Sequence, residues 1–178
     1  MKCFYYLSPT IESAESITDD LQSSGVNNWF IHIISKDEAG LNKKRLHASN
    51  YIETMDFMRF GFIGAGFGLI VGLVFAAIMA ITEPVGPGVP LLAYAGMVFL
   101  ITCFGAWQGG LIGISKENKK LAHFHDDIIA GKYLILIYAP HKNEDQVSDT
   151  MKRLHPEARL VGVDPRFYNP FSEPAIQA

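Results

Sequence analysis

The stretch GFIGAGFGLIVG, residues 61–72, places five glycines in twelve positions of an uncharged, apolar run. This run extends from residue 60 to residue 81, and a second apolar run covers residues 89–114. A bilayer core about 30 Å thick requires roughly 20 apolar helical residues, so each run is long enough to cross it. Two consecutive buried helices of this length would need an unusually large core in a soluble protein. The sequence therefore predicts a transmembrane hairpin.

The glycines also admit a second interpretation, a phosphate-binding loop of a nucleotide-dependent enzyme. The dinucleotide fingerprint G-x-G-x-x-G requires three glycines between a strand and a helix. Gly64 and Gly66 satisfy the first two positions, but the third is Leu69, and the chain contains no Gly-Lys-Ser/Thr of a P-loop. Because the surroundings are apolar rather than a polar strand-to-helix turn, we interpret the glycines as helix-packing residues.

The spacing of the glycines supports this interpretation. In each run three glycines recur every four residues, the period at which small residues form a flat stripe on a helix. The two stripes lie at similar distances from Arg59 and Lys116, the basic residues that border the runs. We therefore expect the stripes to face each other: Gly64, Gly68, Gly72, Gly105, Gly109 and Gly113. Gly61, Gly66 and Gly110 lie off the stripes and are expected to contact a second protomer, which predicts a homo-oligomer.

Basic residues around the hairpin predict its orientation. The link between the runs, TEPVGPGVP at residues 82–90, contains no lysine or arginine, whereas basic residues precede the first run and follow the second. The positive-inside rule then places both termini in the cytoplasm, as in a multi-pass protein of the bacterial inner membrane. Three basic residues after the second run are expected to contact anionic lipid headgroups: Lys116, Lys119 and Lys120.

The segments on either side of the hairpin repeat one order of elements. Strand-like runs at residues 2–7 and 28–35 flank an amphipathic helical segment, and similar runs at residues 132–139 and 158–163 flank another. Neither half can bury its sheet face alone. We therefore predict an α+β membrane protein in which a ferredoxin-like βαβ-βαβ cytoplasmic domain, with two helices on one face of a four-stranded antiparallel sheet, is split by the inserted hairpin.

Helical spacing of apolar residues continues beyond both runs, at residues 44–59 and 115–130, and predicts a cytoplasmic helical stalk. The predicted organisation has four parts: residues 1–40 as the first βαβ half, residues 41–131 as the stalk and hairpin, residues 132–163 as the second βαβ half, and residues 164–178 as a tail rich in proline and aromatic residues.

This layout resembles a family of small bacterial membrane proteins of unknown function, which includes heat-induced general-stress proteins and is sometimes labelled magnesium-transporter-like. The resemblance covers residues 2–164 and rests on the glycine-rich hairpin between βαβ halves and on the stretch IISKDEAG, residues 33–40, after the second strand. It implies the fold, a membrane location and a role in the stress response, and it implies no catalytic residues.

One dense polar cluster, LAHFHDDI at residues 121–128, suggests a metal site. On a helical stalk His123 and Asp127 are one turn apart, and Glu53 lies at a similar height on the other arm. Imidazole and carboxylate groups are common ligands of divalent metals. The alternative interpretation is a solvated stalk face that carries an i,i+4 pair.

The remaining features narrow the function. A net charge of −3, a pI of about 6.0 and the lack of a long basic patch disfavour nucleic acid as a partner. We find no Ser-His-Asp, Cys-His or paired-carboxylate pattern, so neither catalysis nor a cofactor is expected. The sequence thus predicts a non-enzymatic scaffold or sensor that contacts membrane lipid, self-associates through the hairpin and binds an unidentified membrane or cytoplasmic protein. The alternative is an ion or divalent-metal transport or channel component that uses Gln108 and the candidate metal ligands.

Overall fold

A computed structural model describes residues 1–49, 54–167 and 169–177 of the chain. The chain forms two compact units, which we call the sheet unit (Met1–Asn50 with Lys119–Ala178) and the hairpin unit (Tyr51–Asn118). The predicted boundaries at residues 41 and 131 differ from this division, because residues 41–50 and 119–131 belong to the sheet unit.

The strands of the described residues are β1 (Lys2–Ser8), β2 (Ile31–Ile34), β3 (Tyr133–Ala139), β4 (Arg159–Asp164) and β5 (Ala175–Ile176). The helices are α1 (Ile11–Ser23), α2 (Glu38–Lys43), α3 (Phe57–Thr82), α4 (Leu91–Ile114), α5 (His125–Ile129) and α6 (Glu144–Leu154). Three short 3₁₀ turns accompany them: Asn28–Phe30, Ala122–Phe124 and His141–Asn143.

One antiparallel sheet forms the centre of the sheet unit. Its strands are ordered β2–β3–β1–β4–β5, and every neighbouring pair is antiparallel. The central strands β1 and β3 are buried along nearly their whole length. Burial on both faces explains why their sequences, KCFYYLS and YLILIYA, are continuous apolar runs instead of alternating ones.

Helices α1 and α6 pack on one face of the sheet, as the sequence predicts. Their buried residues join the core side chains of β1, β2 and β3 in one apolar cluster. The side chain of Thr10 caps α1 by accepting a hydrogen bond from the backbone N–H of Ser13 at 3.2 Å. Gly25 then ends the segment with a φ of +94°, a conformation that glycine adopts without steric cost.

The opposite face of the sheet is also covered, which the sequence did not indicate. Leu121 and Phe124 pack there against β1, β3 and β4, and the Phe124 ring stacks on Tyr5 with a centroid distance of 5.5 Å. Residues 121–129 therefore belong to the core of the sheet unit. They do not form the arm of a helical stalk.

The hairpin unit consists of α3 and α4. Both helices are long and apolar enough to cross a membrane, with mean hydropathies of 2.4 and 1.7. Only 11% and 17% of their most apolar segments are buried within the chain, whereas a core helix of a soluble protein is mostly buried. The observed bounds agree closely with the spans predicted at residues 60–81 and 89–114.

Within the described residues, the structure corrects the stalk helices expected at residues 44–59 and 115–130; residues 50–53 of the first lie outside the described residues. Helix α3 begins at Phe57 and α4 ends at Ile114, and the segments of chain just outside them pair with each other instead of extending the helices. The backbone N–H of Asp56 donates to Lys116 O at 3.0 Å, and that of Asn118 donates to Thr54 O at 2.9 Å. This short antiparallel ladder satisfies backbone groups that a continuous helix would have paired internally.

Candidate functional site

The two glycine stripes form the interface between α3 and α4. A Cβ added to Gly68 would lie 2.7 Å from the carbonyl oxygen of Ile101 and 3.1 Å from the Cα of Thr102. A Cβ on Gly113 would similarly lie 2.7 Å from Asp56 O. Since real Cβ atoms essentially never approach another heavy atom within 3.0 Å, any side chain at these positions would force the helices apart.

The tightest approach is at the centre of the stripes. A Cβ on Gly64 would collide with Gly105 O, one on Gly105 with Gly64 O, and one on Gly109 with Phe60 O. Contact is looser towards the link, where a Cβ on Gly72 would be 3.2 Å from the Cα and carbonyl oxygen of Val98. The structure thus brings all six predicted stripe glycines together within one chain.

The glycines outside the stripes differ among themselves. Gly110 faces the Phe57 ring, which a Cβ would meet at 2.8 Å, so the expectation that it contacts a second protomer is corrected. Gly61 is nearly open, since a Cβ there would lie 3.9 Å from the carbonyl oxygen of its nearest neighbour, Ala106. At Gly66 and Gly96 an added Cβ would meet no described atom within 4 Å. These two positions therefore face away from the interface.

Polar groups are few in this interface. The hydroxyl of Thr102 donates to Val98 O of its own helix at 2.8 Å, so this bond lies within α4. Gln108 lines an apolar groove beside the stripes, together with Phe60, Phe67 and Phe104. The backbones of the two helices touch along the stripes, so the described residues of α3 and α4 leave no space for a polar path between them.

A second candidate site, which we call the Lys120 cluster (Lys120, Asp164, Phe167 and Ser172), lies in the sheet unit. The Lys120 ammonium donates to Asp164 Oδ2 at 2.7 Å, to Phe167 O at 2.7 Å and to Ser172 Oγ at 3.1 Å. It also lies 4.7 Å from the centroid of the Phe167 ring, within cation–π range. The Lys120 and Asp164 side chains are 6% and 0% exposed, so this is a buried ion pair.

The Lys120 cluster fixes the segment that follows β4. Asp164 also accepts hydrogen bonds from the backbone N–H of Arg166 at 2.9 Å and from the Ser172 hydroxyl at 3.1 Å. The Phe167 ring in turn packs on Tyr138 of β3, with centroids 4.6 Å apart. The Lys120 ammonium therefore connects Asp164, Phe167 and Ser172 to the segment that follows the hairpin unit in sequence.

The headgroup role expected for Lys120 is corrected by this burial, because a buried, paired ammonium is not accessible to lipid. Its neighbour Lys119 is exposed and forms an ion pair with Glu173. Lys116 is exposed in the hairpin unit. For Lys116 and Lys119 lipid contact stays a prediction. The sequence carried one signal of the cluster that we missed, an aspartate at the end of the apolar strand β4.

Two of the candidate metal ligands, His123 and Asp127, have different partners in the sheet unit. His123 Nε2 lies 4.0 Å from Glu173 Oε2, whereas Asp127 accepts a hydrogen bond from Lys132 Nζ at 2.7 Å. Glu53 lies outside the described residues. Within residues 1–49, 54–167 and 169–177, no group of three histidine, cysteine or carboxylate side chains is placed to hold a metal ion. The site that includes Glu53 stays a prediction.

A largely buried carboxylate at the start of α6, that of Glu144, predicts a small sensitivity to acid. The Lys2 ammonium, 2.5 Å from Glu144 Oε2, holds the pKa of Glu144 below its usual value, and His141 adds to this effect. A depressed folded-state pKa contributes stability above the ordinary pKa of about 4.5, and this contribution is lost as the pH falls through the folded-state value. We therefore expect Glu144→Gln to lower the unfolding midpoint slightly at pH 7 and by a smaller amount as the pH falls below 4.5. Asp145→Asn, which removes a charge from the same helical turn, is the control, and an equal effect of both changes would contradict the prediction.

Comparisons with known proteins found no match to any family model, curated protein or solved structure. The resemblance to heat-induced general-stress proteins thus stays a prediction.

Proposed function

We propose that this chain is a non-enzymatic scaffold or sensor of the bacterial inner membrane, with both termini in the cytoplasm. The observation that carries the proposal is the outward surface of α3 and α4. Large apolar side chains cover it, among them Phe67 at 67% and Leu100 at 67% exposed. A continuous apolar surface of this size is unfavourable in water and matches the hydrocarbon core of a bilayer.

The sheet unit supports the finer part of the proposal, a ferredoxin-like domain interrupted by the hairpin. The order β2–β3–β1–β4 with antiparallel neighbours is the strand order of a βαβ-βαβ domain, and α1 and α6 occupy one face as that fold requires. In the chain, α3 and α4 come between β2 and β3, which are neighbouring antiparallel strands. A hairpin inserted at this point replaces a turn without breaking a strand pair.

A scaffold role also requires contact between copies. The stripe glycines are occupied within one hairpin, so copies would associate through the outward faces, where Gly66 and Gly96 permit close approach of another helix. The buried charges of the Lys120 cluster compensate each other, which suits a structural role better than a catalytic one.

Accessibility of single cysteines tests the membrane orientation. With Cys3 and Cys103 replaced by alanine, Val85→Cys in the link should react with a membrane-impermeant maleimide in intact spheroplasts, because Val85 is 76% exposed. Lys152→Cys on the exposed side of α6 should react only after lysis. Reaction of both before lysis, or of Lys152→Cys alone, would overturn the orientation. Light scattering in nanodiscs measures the number of copies, and a strict monomer would end the scaffold interpretation.

A further inference from the structure

Trp29 lies at the surface of the sheet unit. Its side chain is 66% exposed, whereas both its backbone N–H and its carbonyl oxygen have partners. The backbone N–H of Trp29 donates to Asn27 Oδ1 at 2.9 Å, and the backbone carbonyl oxygen of Trp29 lies 3.0 Å from His32 Nε2. The adjacent Phe30 packs against the core. The fold therefore presents an indole outwards on a 3₁₀ turn where the sequence predicted a strand at residues 28–35.

A row of ring–ring contacts connects the Trp29 indole to the sheet. The Trp29 ring lies 5.5 Å from the ring of His47, and His47 lies 5.0 Å from His32. His32, which is buried, contacts Tyr138 of β3 edge-on at 5.1 Å. This row of rings links Trp29 to the centre of the sheet, so the position of the indole is determined by the fold.

An arginine occupies a strained position two residues before His47 in sequence. Helix α2 ends with the hydrogen bonds of a Schellman motif, from Leu46 N to Leu41 O at 3.0 Å and from Arg45 N to Asn42 O at 3.1 Å. Arg45 takes the left-handed position of that motif with a φ of +56°, where glycine is usual. A non-glycine residue there costs on the order of 1 kcal/mol. The chain therefore has an exposed arginine at a position where glycine would avoid this strain.

The charges around α2 are separated along the helix. Lys43 and Arg45 are exposed at its end, and the ammonium of Lys44 is paired with Glu15. The acidic residues are at its start, where Asp37 caps the helix by accepting a hydrogen bond from Gly40 N at 2.9 Å. In sequence, the two exposed cations are therefore at the end of α2 that leads to His47. The Trp29 ring packs on the ring of His47.

We propose that Trp29, Lys43, Arg45 and His47 form a surface that binds the anionic headgroup layer of the membrane. Indole rings prefer the interface between headgroups and acyl chains, and nearby lysine and arginine residues are attracted to anionic lipid. The basic segment also leads in sequence directly towards α3 at Phe57. The inference rests on the proposed membrane location and assigns the headgroup contact to residues other than Lys120.

Two single-tryptophan forms of the full chain test whether this surface binds anionic headgroups. They can be made because the sequence contains only Trp29 and Trp107. Trp107→Phe leaves Trp29 as the fluorophore, and Trp29→Phe leaves Trp107 in α4. Each form is placed in nanodiscs of phosphatidylcholine with phosphatidylglycerol that carry a quencher at the headgroup or deep in the acyl chain. We expect Trp29 to be quenched by the headgroup label and Trp107 by an acyl-chain label.

Arg45→Gly removes the cation with its side chain and leaves the turn intact, because glycine suits the left-handed position. In the Trp107→Phe form it should lower headgroup quenching of Trp29 by about twofold or more, and only in nanodiscs that contain anionic lipid. The unfolding midpoint should stay the same or rise. Lys152→Gln, which removes an exposed cation from α6, is the matched control and should leave the quenching unchanged.

Three other outcomes of the quenching experiment would contradict the inference. Quenching of Trp107 without lipid quenching of Trp29 would overturn the inference and leave the proposed membrane location standing. Absence of lipid quenching at both tryptophans would overturn the proposed location as well. Protection of Trp29 that depends on protein concentration and not on the lipid label would assign this surface to a contact between copies, and the lipid inference would fail.

Discussion

Gly64→Ala is expected to destabilise the pairing of α3 and α4 by about 2 kcal/mol or more, because overpacking a tight interface costs roughly this amount. The new methyl group would collide with Gly105 O and would lie 3.0 Å from the Cα of Gly109. These are backbone atoms, so no side-chain rotation can relieve the clash. Titration of the detergent-solubilised chain with SDS, followed by Trp107 fluorescence in the Trp29→Phe form, measures the midpoint of separation.

Gly66→Ala is the matched control, since it adds the same methyl group to the same helix two residues away. A Cβ there would meet no described atom within 4 Å, so the midpoint should not fall. Gly72→Ala should have an intermediate effect, because its nearest atoms are at 3.2 Å. Equal midpoints for the changes at Gly64 and Gly66 would show that the stripe does not form the interface.

Lys120→Met is expected to destabilise the sheet unit by about 3–5 kcal/mol, the usual cost of removing one partner of a buried ion pair. Asp164, which is fully buried, would retain its hydrogen bonds from Arg166 and Ser172 but lose the ammonium. The hydrogen bond from Lys120 Nζ to Phe167 O would also be lost. Denaturant unfolding of the Trp107→Phe form, followed by Trp29 fluorescence, measures the loss.

Lys119→Met provides the control for Lys120→Met, because it removes the neighbouring lysine. Lys119 and its partner Glu173 are 51% and 42% exposed, and a pair of this kind contributes about 0–1 kcal/mol. Combining Lys120→Met with Asp164→Leu removes the uncompensated charge and should recover much of the lost stability. A double variant as unstable as Lys120→Met alone would contradict the assignment of the cost to a buried charge.

These two pairs of variants also show where sequence reasoning succeeds and where it stops. The glycine stripes were predictable because helical geometry brings residues i and i+4 to one face, whatever the rest of the chain does. Lys119 and Lys120, by contrast, have the same side chain and adjacent positions. Their different environments depend on Asp164, which lies 44 residues from Lys120 in sequence.

The stalk illustrates a local pattern overridden by a non-local one. Apolar residues with helical spacing precede α3 and follow α4, and this spacing predicted helices at residues 44–59 and 115–130. In the structure Thr54 and Asp56 pair with Asn118 and Lys116, and Phe124 enters the core beside Tyr5. Helical spacing over two turns is too weak to compete with strand pairing and core burial.

The sequence by itself determined the two apolar helices, their glycine interface and the strands on either side, because each depends on periodicity within one short segment. The tertiary structure alone decided that Lys120 is buried, that residues 121–129 cover the sheet and that the Trp29 side chain is exposed above the His47 ring. Each of these depends on which distant residues the antiparallel pairing of β2, β3, β1 and β4 brings together. Pairing between distant strands leaves little trace in local sequence, since it is the sum of many contacts distributed along the chain.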